Sequence, residues 1–78
     1  MKELIEYIAT SLVADPKQVR VTQYRRGSMV TLKLQVAKED MGRVIGKNGK
    51  VANAIRVLLR VAAAQEGKRA TLDVDEPR

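Results

Sequence analysis

The 78 residues include no cysteine, no histidine, no tryptophan and no phenylalanine. Without cysteine there is no disulfide framework, no thiolate metal site and no redox motif. That fits a chain kept in the cytoplasm, where thiols stay reduced. With histidine missing as well, the commonest general base is absent, and Ser11 and Ser28 have no obvious base to activate them. A non-catalytic role is the expectation. The aromatics are Tyr7 and Tyr24 alone, too few for the stacking platforms of RRM and OB-fold modules. Tyr7 is expected to pack half-buried on the first helix. No apolar run approaches the roughly 20 residues that span a bilayer. Met1, Lys2 and Glu3 lead into an amphipathic pattern and not a signal peptide, so no membrane insertion is expected.

What the chain does have is positive charge. Fifteen Lys and Arg stand against nine Asp and Glu, a net charge of +6, and the pI is about 10.1. A small, strongly basic chain favours a polyanionic partner, with nucleic acid the first choice and an anionic membrane surface the second. The second is weak, because Lys2 is the only cation of the N-terminal helical pattern. Apolar residues make up 45% of the chain, enough for a thin core in one domain over residues 1–78.

Hydrophobic spacing sets the elements. Leu4, Ile5, Ile8, Ala9, Leu12 and Val13 recur at helical intervals and predict a helix over residues 2–14. Pro16 stops it. Residues 18–24 alternate, with Val19 and Val21 on one face; residues 25–28, "RRGS", make a turn; residues 29–37 alternate clearly, with Val30, Leu32, Leu34 and Val36 inward. Asp40 is placed to cap a short helix that buries Met41, Val44 and Ile45 and ends at Gly46. A longer helix starts near Lys50, with Val51, Ala54, Ile55, Leu58 and Ala62 as its apolar stripe and Gly67 as its C-cap. Residues 70–75 form a last strand with Ala70, Leu72 and Val74 inward, and the tail "EPR" is expected to fray. The order α-β-β-α-α-β predicts an α+β fold: a three-stranded sheet with helices on one face.

Between the two later helices lies "VIGKNGKV", residues 44–51. A G-x-x-G arises by chance in roughly one chain in three of this length, and a helix–turn–helix corner accounts for it. Its surroundings are more specific. Gly46 and Gly49 let a phosphate backbone approach without a Cβ in the way. The helix beyond directs free N–H groups and the positive end of its dipole at the loop. Lys47 and Lys50 add full charges, and Asn53, Arg56 and Arg60 form one polar stripe. Together these describe a phosphate-binding site. It is not a P-loop: Gly42 and Gly46 are separated by three residues instead of four, and Asn48 stands where a Ser or Thr would hold magnesium. Nor is it a dinucleotide fingerprint, since residue 44 is Val. No cofactor is indicated.

The segment "GRVIGKNGKVANAIRVLLRVAA", residues 42–63, strongly resembles the KH signature, in which a GXXG loop clamps four nucleotides of backbone. The element order resembles the type II arrangement, and the likeness to small stand-alone bacterial KH proteins covers essentially the whole chain. That resemblance implies single-stranded RNA as ligand and a clamp made by Gly46, Lys47, Asn48 and Gly49. It implies that Arg25 and Arg26 border the same cleft from the first hairpin, and that Val44, Ile45 and Val51 are candidates for aliphatic base contacts. It also implies self-association, pairing with a larger Jag-type KH protein, and roles in RNA regulation and cell-envelope growth. Two rivals stay open at this point. One is a duplex-DNA-binding helix-turn-helix with Lys50, Asn53 and Arg56 toward the major groove; the other is a protein-interaction module acting through dimerisation. Asp73 and Asp75 share a strand face and read as a solvated face before a metal pair.

Overall fold

The computed structural model describes residues 1–75; the expected fraying of 76–78 lies outside the described residues. The elements are α1 (Lys2–Leu12), β1 (Arg20–Arg26), β2 (Met29–Gln35), α2 (Met41–Ile45), α3 (Lys50–Gln65) and β3 (Arg69–Asp75), with short 3-10 turns at Pro16–Gln18, Lys38–Asp40 and Lys47–Gly49. The expected order α-β-β-α-α-β holds.

The sheet has β2 at its centre, β1 antiparallel on one side and β3 parallel on the other. Val30, Leu32, Leu34 and Val36 are all fully buried, as the central position demands. They meet Ile5 and Ala9 of α1, Val44 of α2, and Ile55, Leu59 and Ala63 of α3 in one core cluster. Full burial of each large aliphatic side chain contributes about 1.5–3 kcal/mol. Outward residues alternate with these along each strand, so one face of the sheet carries the helices and the other stands open to solvent.

Several boundaries differ from the sequence reading. Helix α1 stops at Leu12, two residues early. The proline segment forms its own 3-10 turn, and β1 runs from Arg20 through Arg26. Arg25 and Arg26 are therefore strand residues, and the turn proper is Gly27–Ser28, a two-residue hairpin with glycine first. Helix α3 ends in a Schellman motif: Lys68 N–H donates to Ala63 O (2.9 Å) and Gly67 N–H to Ala64 O (3.0 Å).

The buried stripe of α3 is Ala52, Ile55, Leu59 and Ala63. Ala54 and Leu58, expected inside, are exposed. The helix is apolar nearly all round, so spacing alone offers two stripes about 100° apart, and packing on the sheet chooses between them. Tyr7, expected half-buried, is 73% exposed, because it lies off the α1 stripe that faces the sheet.

Asp40 departs from its expected role too. It precedes α2 but makes no side-chain cap. It is buried, and its carboxylate accepts hydrogen bonds from Ala14 N–H (3.0 Å) and Asp15 N–H (3.1 Å) while pairing with Arg43 (3.2 Å). The bond from Ala14 is the main cause that lowers the Asp40 pKa; burial opposes it, and Asp15 and Arg43 add to the lowering. A carboxylate whose folded pKa is lowered contributes stability above its unfolded pKa of about 4 and loses it as pH falls through the folded value. Asp40→Asn should therefore melt below the parent at pH 6 and lose part of the parent's acid sensitivity below pH 4. Equal midpoints at pH 6, read by circular dichroism, would remove Asp40 from the account.

Candidate nucleic-acid interface

Helix α2 ends as Gly46 N–H donates to Gly42 O (2.9 Å), and the chain then swings into the glycine loop. Gly46 has φ 76° and ψ 173°, and a Cβ built there would lie 2.9 Å from the backbone nitrogen of Val51 and 2.8 Å from its Cβ. This glycine is thus a steric requirement of the corner as well as an opening. Asn48 takes a left-handed conformation (φ 59°, ψ 26°), which asparagine tolerates better than most residues. Gly49 follows at φ 74°, but the nearest atom to a Cβ there is Asn53 Nδ2 at 4.0 Å. The space above Gly49 is open to an approaching backbone.

Lys47, Asn48 and Lys50 are exposed. Gly49 is the N-cap of α3 and no side chain caps the helix; the Lys50 N–H donates to Lys47 O in the preceding turn, and the positive end of a 16-residue dipole faces the loop. Loop cations and helix terminus converge on one spot, as a phosphate site requires.

Further along α3, from Arg56 onward, a cleft lies between that helix and β3. The sheet order leaves one edge of β3 unpaired, and α3 lies alongside it. Arg56 bridges the two: its Nε donates to Leu72 O (3.3 Å) and its Nη1 to Asn53 Oδ1 (3.2 Å). Two adjoining hollows follow, of about 310 and 380 Å³, sharing Arg60, Ala70 and Thr71. The first is floored by Leu59 and Leu72; the second reaches Met29, Lys68 and Arg69. Among the described residues no carboxylate pairs with Lys47, Lys50, Arg60 or Arg69, whereas Lys68 pairs with Glu66 at 3.6 Å.

The sequence-selected residues divide accordingly. Gly46, Lys47, Asn48, Gly49 and Lys50 form the loop end, and Asn53 and Arg56 carry the site along α3. Ile45 is half-buried beside the loop. Val44 is fully buried in the core and presents no surface to a base; the apolar pair before Gly46 is one core residue and one bordering residue. Arg25 and Arg26 lie at the hairpin, which meets the start of β3 through Arg69 N–H to Ser28 O (2.9 Å). They therefore lie toward the end of the cleft opposite the glycine loop. Sequence reasoning missed Arg69, Thr71 and Leu72 altogether, since only the parallel pairing of β3 with β2 brings them beside α3. Arg60 carried a signal, its seven-residue spacing from Asn53.

Sheet, helices and glycine corner make this a KH domain of the type II arrangement. The family model described as KhpA/KhpB, KH domain, matches residues 2–74, and the chain belongs to that family. An RNA-binding protein KhpA of Clostridium acetobutylicum is 46% identical over 74 residues, which cover 95% of this chain and 99% of the relative. One from Listeria monocytogenes is 43% identical over 76 residues, 97% of this chain and 100% of the relative. These relatives are named for RNA binding and not for a catalysed reaction. A crystal structure of Aquifex aeolicus Era bound to GDP and AlF4⁻ superposes with a TM-score of 0.62 at 17% identity, over 96% of this chain and 29% of that one. Era in complex with MgGDPNP and a 16S ribosomal RNA fragment gives 0.56 at 18%, with the same coverage. At such identities the likeness is one of fold alone.

The two loop glycines should respond differently to a methyl group. Gly49→Ala meets only the left-handed penalty, about 1–2 kcal/mol. Gly46→Ala forces a side chain into a region (φ 76°, ψ 173°) that is essentially glycine's alone and collides with the Val51 backbone, so it should unfold at clearly lower urea. Equal losses in urea titrations would contradict the steric role assigned to Gly46.

Proposed function

We propose that this chain binds single-stranded RNA without catalysis, the glycine loop clamping the sugar-phosphate backbone and the α3–β3 cleft receiving the bases. The observation that carries it is the uncapped N-terminus of α3 behind an exposed loop with Lys47, Asn48 and Lys50, at the head of a cleft with an unpaired strand edge. Phosphates take the lysines and the positive end of α3; bases lie against the aliphatic stems of Arg56 and Arg60, with Ile45 at the loop end. In a parallel ladder a residue turns both its N–H and its C=O to the same side. Since Leu72 O points at Arg56, Ala70 and Val74 offer their backbone groups along the same edge for hydrogen bonds to base edges. That layout suits a composition with two tyrosines. The family membership and the names of the relatives, RNA-binding proteins, support the ligand class. The hollows lie between α3 and β3, so the polar flank of α3 faces a strand, which argues against a helix laid in a DNA groove. Arg25 and Arg26 extend the positive field at the hairpin end.

The same reading includes assembly and role. Val57, Leu58 and Val61 on the outer face of α3 are each more than half exposed (51–54%). They sit on the face of α3 that carries neither the cleft residues nor the core residues. A face of this kind suits a second copy of the chain or a larger relative, and the family's description spans both KhpA and KhpB. One domain holding about four nucleotides binds weakly, so pairing raises affinity through effective concentration. Weak, paired binding of single strands suits an RNA chaperone or post-transcriptional regulator.

Replacing Lys47 and Asn48 together with Asp leaves both glycines, and Asp tolerates the left-handed position at 48. The fold should survive by circular dichroism while binding to single-stranded RNA falls below detection, since carboxylates then occupy the phosphate positions. The parent's log–log salt slope should be about −1.4 to −2.8, for two to four phosphates on a single strand. Parent-like RNA affinity in the folded double variant, or tighter parent binding to duplex DNA, would defeat the clamp. Separately, Leu58→Glu should convert any dimer to monomer in sedimentation without unfolding; an unchanged dimer would move the interface elsewhere.

A further inference from the structure

The sheet face turned away from the helices has a composition of its own. Alternation places four residues of each strand on it, and the register aligns them in cross-strand rows. At the hairpin end the row is Arg26, Met29 and Arg69; next come Tyr24, Thr31 and Thr71. Beyond these are Thr22, Lys33 and Asp73, then Arg20, Gln35 and Asp75. Charge is segregated along this face. The far rows are balanced, Lys33 pairing with Asp75 at 3.4 Å. At the hairpin end there are two arginines and no acid, and among the described residues neither arginine pairs with a carboxylate.

In the row beside those arginines stands Tyr24, 57% exposed. Its neighbours across the row are two threonines joined to each other, Thr71 Oγ1 to Thr31 Oγ1 at 3.4 Å. Small hydroxyl side chains leave the ring without a bulky neighbour on that side. Met29, also on the open face, is 37% exposed.

This face is continuous with the cleft. Met29, Arg69 and Thr71 belong to the open face by alternation, yet all three line the hollow at the hairpin end of the cleft. The hollow therefore opens over the start of β3 onto the sheet. From β3 to Tyr24 is two strand spacings, about 10 Å.

We infer that the open sheet face is a second contact surface for the same single-stranded RNA: a base leaving the cleft at the hairpin end stacks on Tyr24, with its flanking phosphates on Arg26 and Arg69. This rests on the RNA-binding reading above and extends the site beyond the cleft. An aromatic ring with cations and no acid beside it is the arrangement that single-stranded nucleic acid selects. A cluster of unpaired arginines would repel a basic protein partner, and a second copy of this chain is itself basic.

The test uses two probes, randomised single-stranded RNA of about four nucleotides, which the cleft alone holds, and of about ten. Tyr24→Ala should weaken binding of the longer RNA by about 5- to 100-fold, the effect of removing one aromatic stack. It should leave the shorter RNA unchanged, and Tyr24→Phe should bind like the parent. A second readout does not depend on the alanine variant folding. Tyr7→Phe leaves Tyr24 as the only intrinsic fluorophore of a chain without tryptophan. The longer RNA should quench its emission and the shorter should not. Parent-like affinity of Tyr24→Ala for the longer RNA, with no quenching, would overturn the platform and leave the cleft reading standing. If Tyr24→Ala alters the oligomeric state and not RNA affinity, the face belongs to a protein contact and the inference fails. If the Lys47→Asp, Asn48→Asp variant still binds the longer RNA while Tyr24→Ala does not, the platform stands and the clamp falls. No binding of either RNA by the parent would overturn both.

Discussion

The parallel pairing of β3 with β2 is the constraint on which the remainder of the molecule depends. Two parallel neighbours cannot be joined by a tight turn; the chain must travel back the length of the sheet between them. Here the return is made by α2, the glycine loop and α3, while the antiparallel β1–β2 pair needs only Gly27 and Ser28. The return buries Val44, Ile55, Leu59 and Ala63 over the central strand. It also lays the flank of α3 along the one edge of β3 that has no strand partner. Cleft, loop and basic helix face are thus consequences of a single topological demand.

Within that return the glycine loop answers two requirements at once. The corner between α2 and α3 is so tight that Gly46 sits against the first turn of α3, where a side chain would strike Val51. The same tightness brings the N-terminal end of α3, with its positive dipole, beside the exposed Lys47 and Lys50. Gly46 is thus a packing residue whose consequence is an exposed helix terminus, and Gly49 is the residue that keeps the approach to it clear. Structural and functional readings of the motif are two descriptions of one geometry.

Electrostatics follow the layers. The buried carboxylate of Asp40 is committed internally, tying the α1–β1 connection to the start of α2. The acidic residues Glu3 and Glu6 lie on the outer side of α1, and Asp73 and Asp75 on the far half of the open sheet face. Among the described residues, cations without a carboxylate partner stand at the loop (Lys47, Lys50), along the cleft (Arg56, Arg60) and at the hairpin end (Arg25, Arg26, Arg69), and also at Lys2, Lys17, Arg20 and Lys38.

The element order and the loop were legible from the sequence because they rest on local signals. Alternation marked Val30 to Val36 as a strand, Pro16 broke the first helix, and two glycines among lysines stood out between apolar runs. Other features depended on partners distant in sequence. The buried side of α3 was ambiguous, since a helix apolar nearly all round has no preferred face until a sheet is pressed against it. Asp40 looked like a local cap, yet its hydrogen bonds go to residues 14 and 15, which only folding brings near. Arg69, Thr71 and Leu72 carried no signal as cleft residues, because an edge strand acquires its neighbours from topology. The sequence by itself determined which segments are helix and strand and where loop glycines and cations are concentrated, because backbone preference and charge are local properties. The tertiary structure decided which faces are buried and which remain free, since burial belongs to a side chain only through what packs against it.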